Sequence, residues 1–545
     1  MFFRKASFIF AAGFAHPALA QASQSLPVQE APAVAADPVD TSYRIVEPLG
    51  SGPIDGPFPR PAFGGNAEPK ASVTTPGLNP DGPYFLENVA GNRRQPGYEP
   101  VPHRLGSFVV APSVTVRAHS DDNWTDRGQS LPLLTVIGSA IGNLSDQFGI
   151  ALPADVIAGA LAQTINPALV DVGDVAFDVA PAIAVSSDWS RNALSVEASA
   201  RLTRFATIHR LNRDEFRMAT RGRIDLGSTA VVAGRVAYLR QAEPPGANGL
   251  AVLDYFGFGP SLFNRFAAGA DLGMKFGRAG VSLDAEYTQD RYRPLRLDPA
   301  DLLAPGILDL AGLPTRITLS QRYRNRTQTD LRLRLTYSVA PDFDVYLVPS
   351  YGRIRQDGQV SDSDFVTGIP SFASDTWGLQ VGARKDFGHL FVVQAGLRYQ
   401  DRDYVNPVLV RSRRFDIEGA ADWYPTRLIS VRISAAQQFR GSGVPGQADI
   451  ITRTVTARAD YEVLRNVGLR FEGTAAWDRY PAASAQPQQG GQSARQDGSV
   501  QVVWTIGRST EVNLSAGGHR RRAGNSIFLG SFAASRFSIS LTRRL

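Results

Sequence analysis

The sequence predicts an all-β protein, a transmembrane antiparallel up-and-down β-barrel of about 18 strands, with about 16 as the alternative count. Three observations lead to this prediction. Apolar residues recur at every second position, short connections alternate with long ones, and aromatic residues gather at both ends of the alternating stretches. The segment "DFGHLFVVQAGLRYQDRDY" at 386–404 shows the alternation, since the odd-numbered residues from Phe391 to Tyr399 are apolar while Gln394 and Arg398 lie between them.

The N-terminal segments predict export. Residues 1–20, "MFFRKASFIFAAGFAHPALA", combine Arg4 and Lys5 with an apolar stretch and a small-x-small site, which predicts a signal peptide cleaved after Ala20. Residues 21–104 are rich in Pro and Gly and have no lasting period. They predict an extended or disordered periplasmic leader, with a small lumen plug as the alternative. No later stretch has the ~20 uninterrupted apolar residues of a membrane-spanning helix, so any membrane crossing is expected to use strands.

Residues 105–545 carry the predicted outer-membrane barrel. Eighteen alternating stretches follow one another from Phe108 to Leu545, each near the ~10 residues that a tilted membrane strand needs. Tight links such as 277–280 alternate with long ones such as 288–322, 401–411, 479–496 and 518–528. The longest link contains the apolar insert 125–172. We expect it either to fold over or into the barrel mouth, or to form a buried loop helix without a gating role.

The aromatic residues indicate which face meets lipid. On the apolar parity they lie at strand ends that lead into long links (Tyr238, Tyr287, Tyr351, Trp377, Tyr399, Trp477) and into tight turns (Trp189, Tyr337, Trp423, Tyr461, Trp504). Tyr and Trp favour the membrane–water boundary because a flat apolar ring carries one polar tip. The apolar face should therefore point to lipid and the polar face to an aqueous lumen, which is wide at this strand number.

The charged residues at the alternate strand positions, between the apolar ones, are the candidates for the lumen lining and for the path of a solute. An arginine exposed at mid-bilayer costs about 2–4 kcal/mol, so these charged side chains must face water or one another. They either pair and stiffen the wall, or bind sugar carboxylates and hydroxyls through forked hydrogen bonds. The candidates are Arg221, Arg223, Arg332, Arg334, Arg384, Arg398, Arg414, Arg432, Arg458, Asp225, Glu286, Asp416 and Glu418.

Clusters of arginine in the long links predict an outer basic rim formed by Arg322, Arg324, Arg520, Arg521 and Arg522. One interpretation is contact with the phosphates of outer-membrane lipid and lipopolysaccharide, which suit guanidinium forks. The other is an attractive vestibule for an anionic polymer. The location outside the cell excludes nucleic acid as a partner.

Several kinds of chemistry find no support in the sequence. The chain has no cysteine, which excludes disulfides, thiolate metal sites and cysteine nucleophiles. The histidines after residue 20 (His103, His119, His209, His389 and His519) fall in links, at strand margins or in the leader, without metal-ligand spacing. None is placed mid-strand with a serine partner. We therefore predict no metal, no cofactor and no catalytic residue, and we keep an outer-membrane barrel hydrolase as an alternative.

The stretch "GSFVVAPSVTVRAHSDDNW" at 106–124 resembles the outer-membrane β-barrel porin family associated with bacterial exopolysaccharide export. The motif residues are Gly106, Phe108, Pro112, Ser113, Asp121, Asp122 and Asn123. The resemblance implies an outer-membrane component of polysaccharide secretion, inserted by the barrel-assembly machinery, with polysaccharide and a separate export lipoprotein as partners. The insert 125–172 is longer than the family pattern implies.

The predicted function is a non-catalytic outer-membrane channel or accessory protein for exopolysaccharide secretion, which works by diffusion through a charged lumen. A general or anion-selective diffusion porin is the first alternative and a barrel hydrolase is the second.

Overall fold

The computed structural model describes residues 98, 103–124, 173–189, 192–227, 229–243, 260–297, 317–356, 372–388, 390–407, 409, 411–441, 449–480, 491–523 and 531–545. The predicted signal peptide, all but a few residues of the predicted leader and the whole insert 125–172 lie outside these ranges. Predictions for those segments therefore stay predictions. The described ranges contain no helix long and apolar enough to cross a membrane.

Eighteen long strands form the wall of the barrel in the described ranges. They are β2 (Phe108–Asp121), β3 (Asp174–Ser187), β4 (Ala193–Phe205), β5 (Arg213–Leu226), β6 (Ala230–Ala242), β7 (Leu262–Phe276), β8 (Ala279–Tyr292), β11 (Arg326–Ala340), β12 (Phe343–Gln356), β13 (Ser374–Phe387), β14 (Phe391–Tyr404), β15 (Ser412–Thr426), β16 (Ile429–Gly441), β17 (Asp449–Leu464), β18 (Val467–Tyr480), β19 (Gly491–Ile506), β20 (Thr510–Ala523) and β21 (Phe532–Arg544).

Three short strands accompany the wall. β1 (His103–Leu105) pairs with the start of β2, while β9 (Leu295–Leu297) and β10 (Ile317–Leu319) form a separate hairpin. Because His103 and Arg104 already pair with Val110 and Val109, the ordered strand begins before the predicted boundary at residue 105.

The wall closes on itself. Each long strand pairs antiparallel with the next along the chain, β8 pairs with β11, and the first long strand β2 pairs with the last, β21. Closure leaves no open edge, which hydrocarbon cannot satisfy because it offers no hydrogen-bond partner to a free backbone group. The predicted all-β, antiparallel, 18-stranded closed barrel is confirmed.

The strands run further than the apolar alternation suggests. The predicted long links 401–411, 479–496 and 518–528 each lose residues to strands, since β14 extends to Tyr404, β19 begins at Gly491 and β20 extends to Ala523. The backbone ladder continues past the hydrocarbon, where the outward face no longer has to be apolar. The alternation of apolar and polar residues in the sequence therefore ends before the strand itself ends.

The barrel is apolar outside and polar inside. Large apolar side chains on the outward face are exposed, for example Met218 at 46% and Ile417 at 51%, whereas the inward Glu418 and Arg235 are 2% and 4% exposed. The aromatic residues predicted for the two belts lie on the outward face at the two ends of the strands. The predicted orientation is confirmed.

Glycines in the left-handed region close several of the tight turns. Gly227, Gly277, Gly388 and Gly507 have φ between 58° and 74° and lie at the same end of the barrel, which we call the short-turn end. The opposite end is called the long-loop end. A residue with a Cβ is strained at such φ values, so glycine permits these turns.

A charge on the outward face tests the orientation. Leu397→Arg places a guanidinium in the lipid at mid-strand, and we expect the free energy of unfolding to fall by about 2–4 kcal/mol. The measurement is urea unfolding in phospholipid vesicles. Gln400→Arg, on the inward face of the same strand, is the control and should change little. Equal effects of the two substitutions would contradict the assignment of the apolar face to lipid.

Candidate pore lining and barrel seam

The predicted lumen residues share one face of the wall. Each of the thirteen lies on the strand parity opposite to the exposed apolar side chains, so each projects inward. Their surroundings differ, however. Some belong to buried clusters, and others remain half-exposed toward the interior of the barrel.

One buried cluster surrounds Tyr346 and joins β11 to β15; we call Arg334, Tyr346, Gln380, Arg398 and Glu418 the Tyr346 cluster. The guanidinium carbon of Arg334 lies 4.1 Å from the centroid of the Tyr346 ring. The Tyr346 hydroxyl donates to Glu418 Oε1 at 3.4 Å, and Gln380 Nε2 donates to the same oxygen. Arg398 Nη2 donates to Gln380 Oε1 at 2.9 Å. These contacts tie five strands into one segment of wall.

Two inward glycines let the Tyr346 ring lie against the wall. A Cβ at Gly382 would fall 2.3 Å from the Tyr346 hydroxyl oxygen, and one at Gly396 would fall 2.9 Å from it. Tyr346 was not among the predicted lumen residues, although its parity, opposite to Val345 and Leu347, indicates an inward position. The side chain occupies space that glycines leave free beside the backbone.

Arg235 forms a second buried cluster, between β6 and β8. Its Nη1 donates to Asp271 Oδ2 at 2.5 Å, and its Nη2 donates to Asp284 Oδ2 at 2.7 Å and to Glu286 Oε2 at 3.2 Å. A Cβ at Gly269 would lie 2.6 Å from the Arg235 guanidinium carbon, so this side chain also lies flat on a glycine. Charges that satisfy one another in this way stiffen the wall.

Other predicted lumen residues form ion pairs that are more exposed to solvent. Arg223 lies 2.7 Å from Asp225, and Arg458 lies 2.7 Å from Asp460. Arg432, whose side chain is 56% exposed, lies 3.6 Å from Asp422. These pairs contact the interior of the barrel and carry little stabilisation because water screens them.

The remaining predicted lumen residues differ in their burial and in their hydrogen-bond partners. Asp416 is buried at 2% exposure, Arg414 donates from Nε to Ser412 Oγ at 2.7 Å, and Arg221 is half-buried. Arg332 and Arg384 are also half-buried, and within the described part of the chain neither forms a side-chain hydrogen bond or an ion pair. Arg332 lies near Asp330 and Arg384 lies near Asp422, but neither guanidinium group contacts the carboxylate directly, so both keep donors for an external anion.

The predicted outer basic rim is only partly correct. Arg322, Arg520 and Arg522 are exposed at the long-loop end. Arg324 instead donates to Glu243 Oε1 at 2.6 Å and lies 4.0 Å from the Tyr292 ring centroid, so a partner already neutralises its charge. Arg521 is 3% exposed and projects inward, because β20 extends through 520–522 and strand parity turns the middle side chain away from its neighbours.

The Asp-Asp-Asn residues of the sequence motif join the first and last wall strands at the long-loop end. Arg536 Nε of β21 donates to Asp121 Oδ2 at 2.6 Å, and the Asn123 backbone N–H donates to Asp121 Oδ1 at 2.7 Å. The Ser535 backbone N–H donates to Asp122 Oδ1 at 2.6 Å. The motif thus stabilises the seam of the ring.

The N-terminal part of the motif forms the other end of the seam. β1 pairs with β2 up to Val110 and β21 pairs with β2 from Ser113 onward, so Pro112 lies where one partner strand replaces the other. Proline lacks an N–H, and its carbonyl accepts the Leu545 N–H at 3.0 Å. Gly106, with φ 60°, turns β1 into β2, and Phe108 packs edge-on against Trp189 at 5.6 Å.

One histidine lies closer to a serine than the sequence analysis expected. The β2–β21 register places Ser538 opposite His119, and His119 Nε2 is 3.3 Å from Asp178 Oδ2. Neither ring nitrogen makes a hydrogen bond, and His119 is 4% exposed. A buried imidazole without a hydrogen bond to the hydroxyl is not arranged to activate it. Within the described ranges no group of three or more His, Asp or Glu side chains is arranged to hold a metal ion.

The seam can be tested at Arg536. Arg536→Gln leaves the buried Asp121 carboxylate without its cation, and we expect the free energy of unfolding to fall by about 3–5 kcal/mol. The measurement is the temperature at which the folded barrel loses its compact band in gel electrophoresis. Arg204→Gln, which breaks the exposed pair with Asp214, is the control and should have a much smaller effect. An unchanged transition temperature for Arg536→Gln would contradict the assigned role of the seam.

The packing of Tyr346 against Gly382 and Gly396 can be tested by adding a methyl group to one of the glycines. Gly396→Ala should displace the Tyr346 hydroxyl, Gln380 and Glu418, and so destabilise the barrel by about 1–3 kcal/mol through overpacking. Gly419→Ala is the control, since its nearest atom would lie 3.8 Å away. Unfolding in detergent is the measurement. The loss should shrink in a Tyr346→Ala background, and an equal loss there would contradict the contact.

Several solved structures are similar in fold. They are the outer membrane protein OpdK from Pseudomonas aeruginosa (9% identity, 80% of this chain and 99% of that chain covered, TM-score 0.38), OccAB3 from Acinetobacter baumannii (10% identity, 80% and 99% covered, TM-score 0.40) and the siderophore receptor PirA from Acinetobacter baumannii (6% identity, 80% and 80% covered, TM-score 0.40). No curated protein matches the chain.

The family model described as Putative beta-barrel porin 2 matches residues 158–544, well over half of the chain. The matched segment contains seventeen of the eighteen long wall strands, from β3 to β21, and so includes the buried clusters of the wall. The closed wall, its apolar exterior and its charged interior are what an outer-membrane channel requires. The chain belongs to the Putative beta-barrel porin 2 family and is an outer-membrane β-barrel.

Proposed function

We propose that this barrel is a non-catalytic outer-membrane channel, or an accessory of one, for the secretion of an exopolysaccharide. Membership of a porin family supports a channel. The polysaccharide as cargo rests on the resemblance carried by residues 106–124. The observation that carries the proposal is the inward face, where the half-buried cations Arg332 and Arg384 lie on the same wall as fixed carboxylates and amides.

The chemistry of this face suits an acidic sugar polymer. A guanidinium group binds a carboxylate or phosphate through two parallel hydrogen bonds, and the same fork donates to sugar hydroxyls. The Tyr346 cluster and the Arg235 cluster hold their neighbours in place, so the cations extend from a stiff wall. Passage requires contacts weak enough to exchange, and a mixture of cations and carboxylates keeps each contact weak.

The proposal includes partners on the two sides of the membrane. Insertion by the barrel-assembly machinery is supported by the regular outward alternation of Phe537, Ile539 and Leu541 in the last strand. An export lipoprotein would deliver polymer to the short-turn end. The export lipoprotein follows from the resemblance alone.

An anion-selective diffusion porin is the second candidate function. It is favoured by the absence of an ion pair at Arg332 and Arg384 in the described residues and by the weak 3.6 Å pair at Arg432. Small anions would use the same cations. A barrel hydrolase is the third candidate, and Ser538 opposite His119 is the position that it would use. Lipid hydrolysis abolished by Ser538→Ala would favour that function.

Planar-bilayer conductance separates the first two candidates. For an exporter we expect an acidic polysaccharide to block the current of the wild-type channel, and Arg332→Gln/Arg384→Gln to weaken the block and reduce the preference for anions, because the inward cations are lost. The control is Arg353→Gln on the outward face, which should leave both properties unchanged.

Two results would contradict the exporter. An anion-selective current that the polymer does not affect would favour the porin. A wild-type barrel that conducts no ions at all would contradict both channel functions.

A further inference from the structure

Four arginines form a patch on the outward face of β17–β20, near the long-loop end. We call Arg453, Arg479, Arg520 and Arg522 the arginine patch. In the sheet register Arg453 lies opposite Trp477, Trp477 opposite Ala494, and Ala494 opposite Arg522. All four arginines and Trp477 are exposed. The four cations therefore surround one exposed indole ring on four adjacent strands.

The described side chains on the outward face around the patch include no Asp or Glu. The outward positions of 451–455, 475–479, 492–496 and 520–522 hold these arginines and no Asp or Glu, and the nearby Asp478 and Asp497 belong to the inward parity. None of the four arginines forms an ion pair in the part of the chain that the structure describes. The connecting sequences 442–448, 481–490 and 524–530 contain no Asp or Glu either.

Several other arginines on the outward face at this end are neutralised by the protein itself. Arg411 and Arg413 pair with Asp401 at 2.7 and 3.2 Å. Arg353 pairs with Asp375 at 2.6 Å. The arginine patch differs from them because, among the described residues, no carboxylate neutralises its charge.

Two glutamines orient the guanidinium groups. Gln437 Oε1 accepts from Arg453 Nε at 2.6 Å, and Gln496 Oε1 accepts from Arg520 Nε at 2.6 Å. A neutral amide fixes each side chain without cancelling its charge. No described carboxylate takes up the terminal nitrogens of either group, and a pair of such nitrogens matches two oxygens of a phosphate.

The height of the patch identifies its surroundings. Trp477 belongs to the aromatic belt at the membrane boundary. Arg479 lies two residues further along the strand, about 7 Å beyond it. An outward side chain at this level meets lipid headgroups and cannot reach the lumen.

We infer that the arginine patch binds the phosphate groups of a phosphate-bearing lipid in the outer leaflet, with Trp477 packed against the lipid at the boundary. The inference concerns the outside of the wall and does not depend on what passes through the channel. A phosphorylated glycolipid and a phospholipid share this chemistry, and the experiment distinguishes them. A soluble anionic polysaccharide is the competing occupant, and it becomes an outcome of the test.

The test uses the full-length barrel in a zwitterionic detergent, titrated separately with lipopolysaccharide that carries its phosphates, with dephosphorylated lipopolysaccharide and with phosphatidylglycerol. We expect wild type to bind phosphorylated lipopolysaccharide, and the affinity to fall as salt is raised. Arg453→Gln/Arg522→Gln should lose about tenfold or more in affinity, which corresponds to about 1.4 kcal/mol. The matched control Arg411→Gln/Arg413→Gln should bind like wild type.

Each further result has a defined meaning. Equal, patch-dependent binding of phosphatidylglycerol supports the inference and identifies phospholipid as a source of the phosphate. Equal binding of dephosphorylated lipopolysaccharide, or unchanged binding by the double variant, overturns it. Patch-dependent binding of a soluble anionic polysaccharide but of none of the lipids also overturns it. If the double variant does not fold, Arg522→Gln alone and mass spectrometry of lipid co-purified with wild type decide between the same outcomes.

Discussion

Hydrocarbon cannot hydrogen-bond a free backbone group, and the rest of the structure depends on this constraint. It forces the sheet to close, and closure brings β2 and β21, at opposite ends of the sequence, into contact. Such a contact has a large entropic cost because a long stretch of chain lies between its partners. Polar contacts at both ends of the strands stabilise this seam. Asp121, Arg536 and Asp122 hold one end of it, and the Leu545–Pro112 hydrogen bond holds the other.

Closure also determines where charge is tolerated. Lipid takes the apolar face, so the inward face collects arginines and carboxylates that satisfy one another. In the Arg235 and Tyr346 clusters the charged and polar side chains pair without filling the interior, because long side chains lie flat over inward glycines. Stiff, self-neutralised segments of wall then alternate with positions such as Arg332 and Arg384, where no described carboxylate forms a direct ion pair with the cation. A transport path needs both kinds of position, a wall that holds its shape and a few charges that can exchange partners.

The outward face above the aromatic belt follows a different rule. There the backbone ladder continues in an aqueous, anionic region, and arginine becomes the common outward residue. Several outward arginines in this zone have an aspartate beside them, as Arg353 and Arg411 do. The arginine patch on β17–β20 has glutamines instead, which orient a guanidinium and leave its charge. Inward and outward cations therefore serve separate purposes on the two sides of one wall.

The sequence by itself determined the barrel, its strands, the face that meets lipid and the inward parity of the charged residues, because alternation is a local property that the pleat of each strand imposes. It also indicated a cluster of arginines at 520–522 and the importance of the Asp-Asp-Asn motif. Only the tertiary structure decided which charges meet. Asp121 pairs with Arg536, Tyr346 lies on Gly382 and Gly396, and Arg521 turns inward while Arg520 and Arg522 turn outward. These contacts depend on the register between neighbouring strands. Alternation excludes a slip by one residue, which would turn the apolar side chains inward, but it does not choose among registers that differ by two residues.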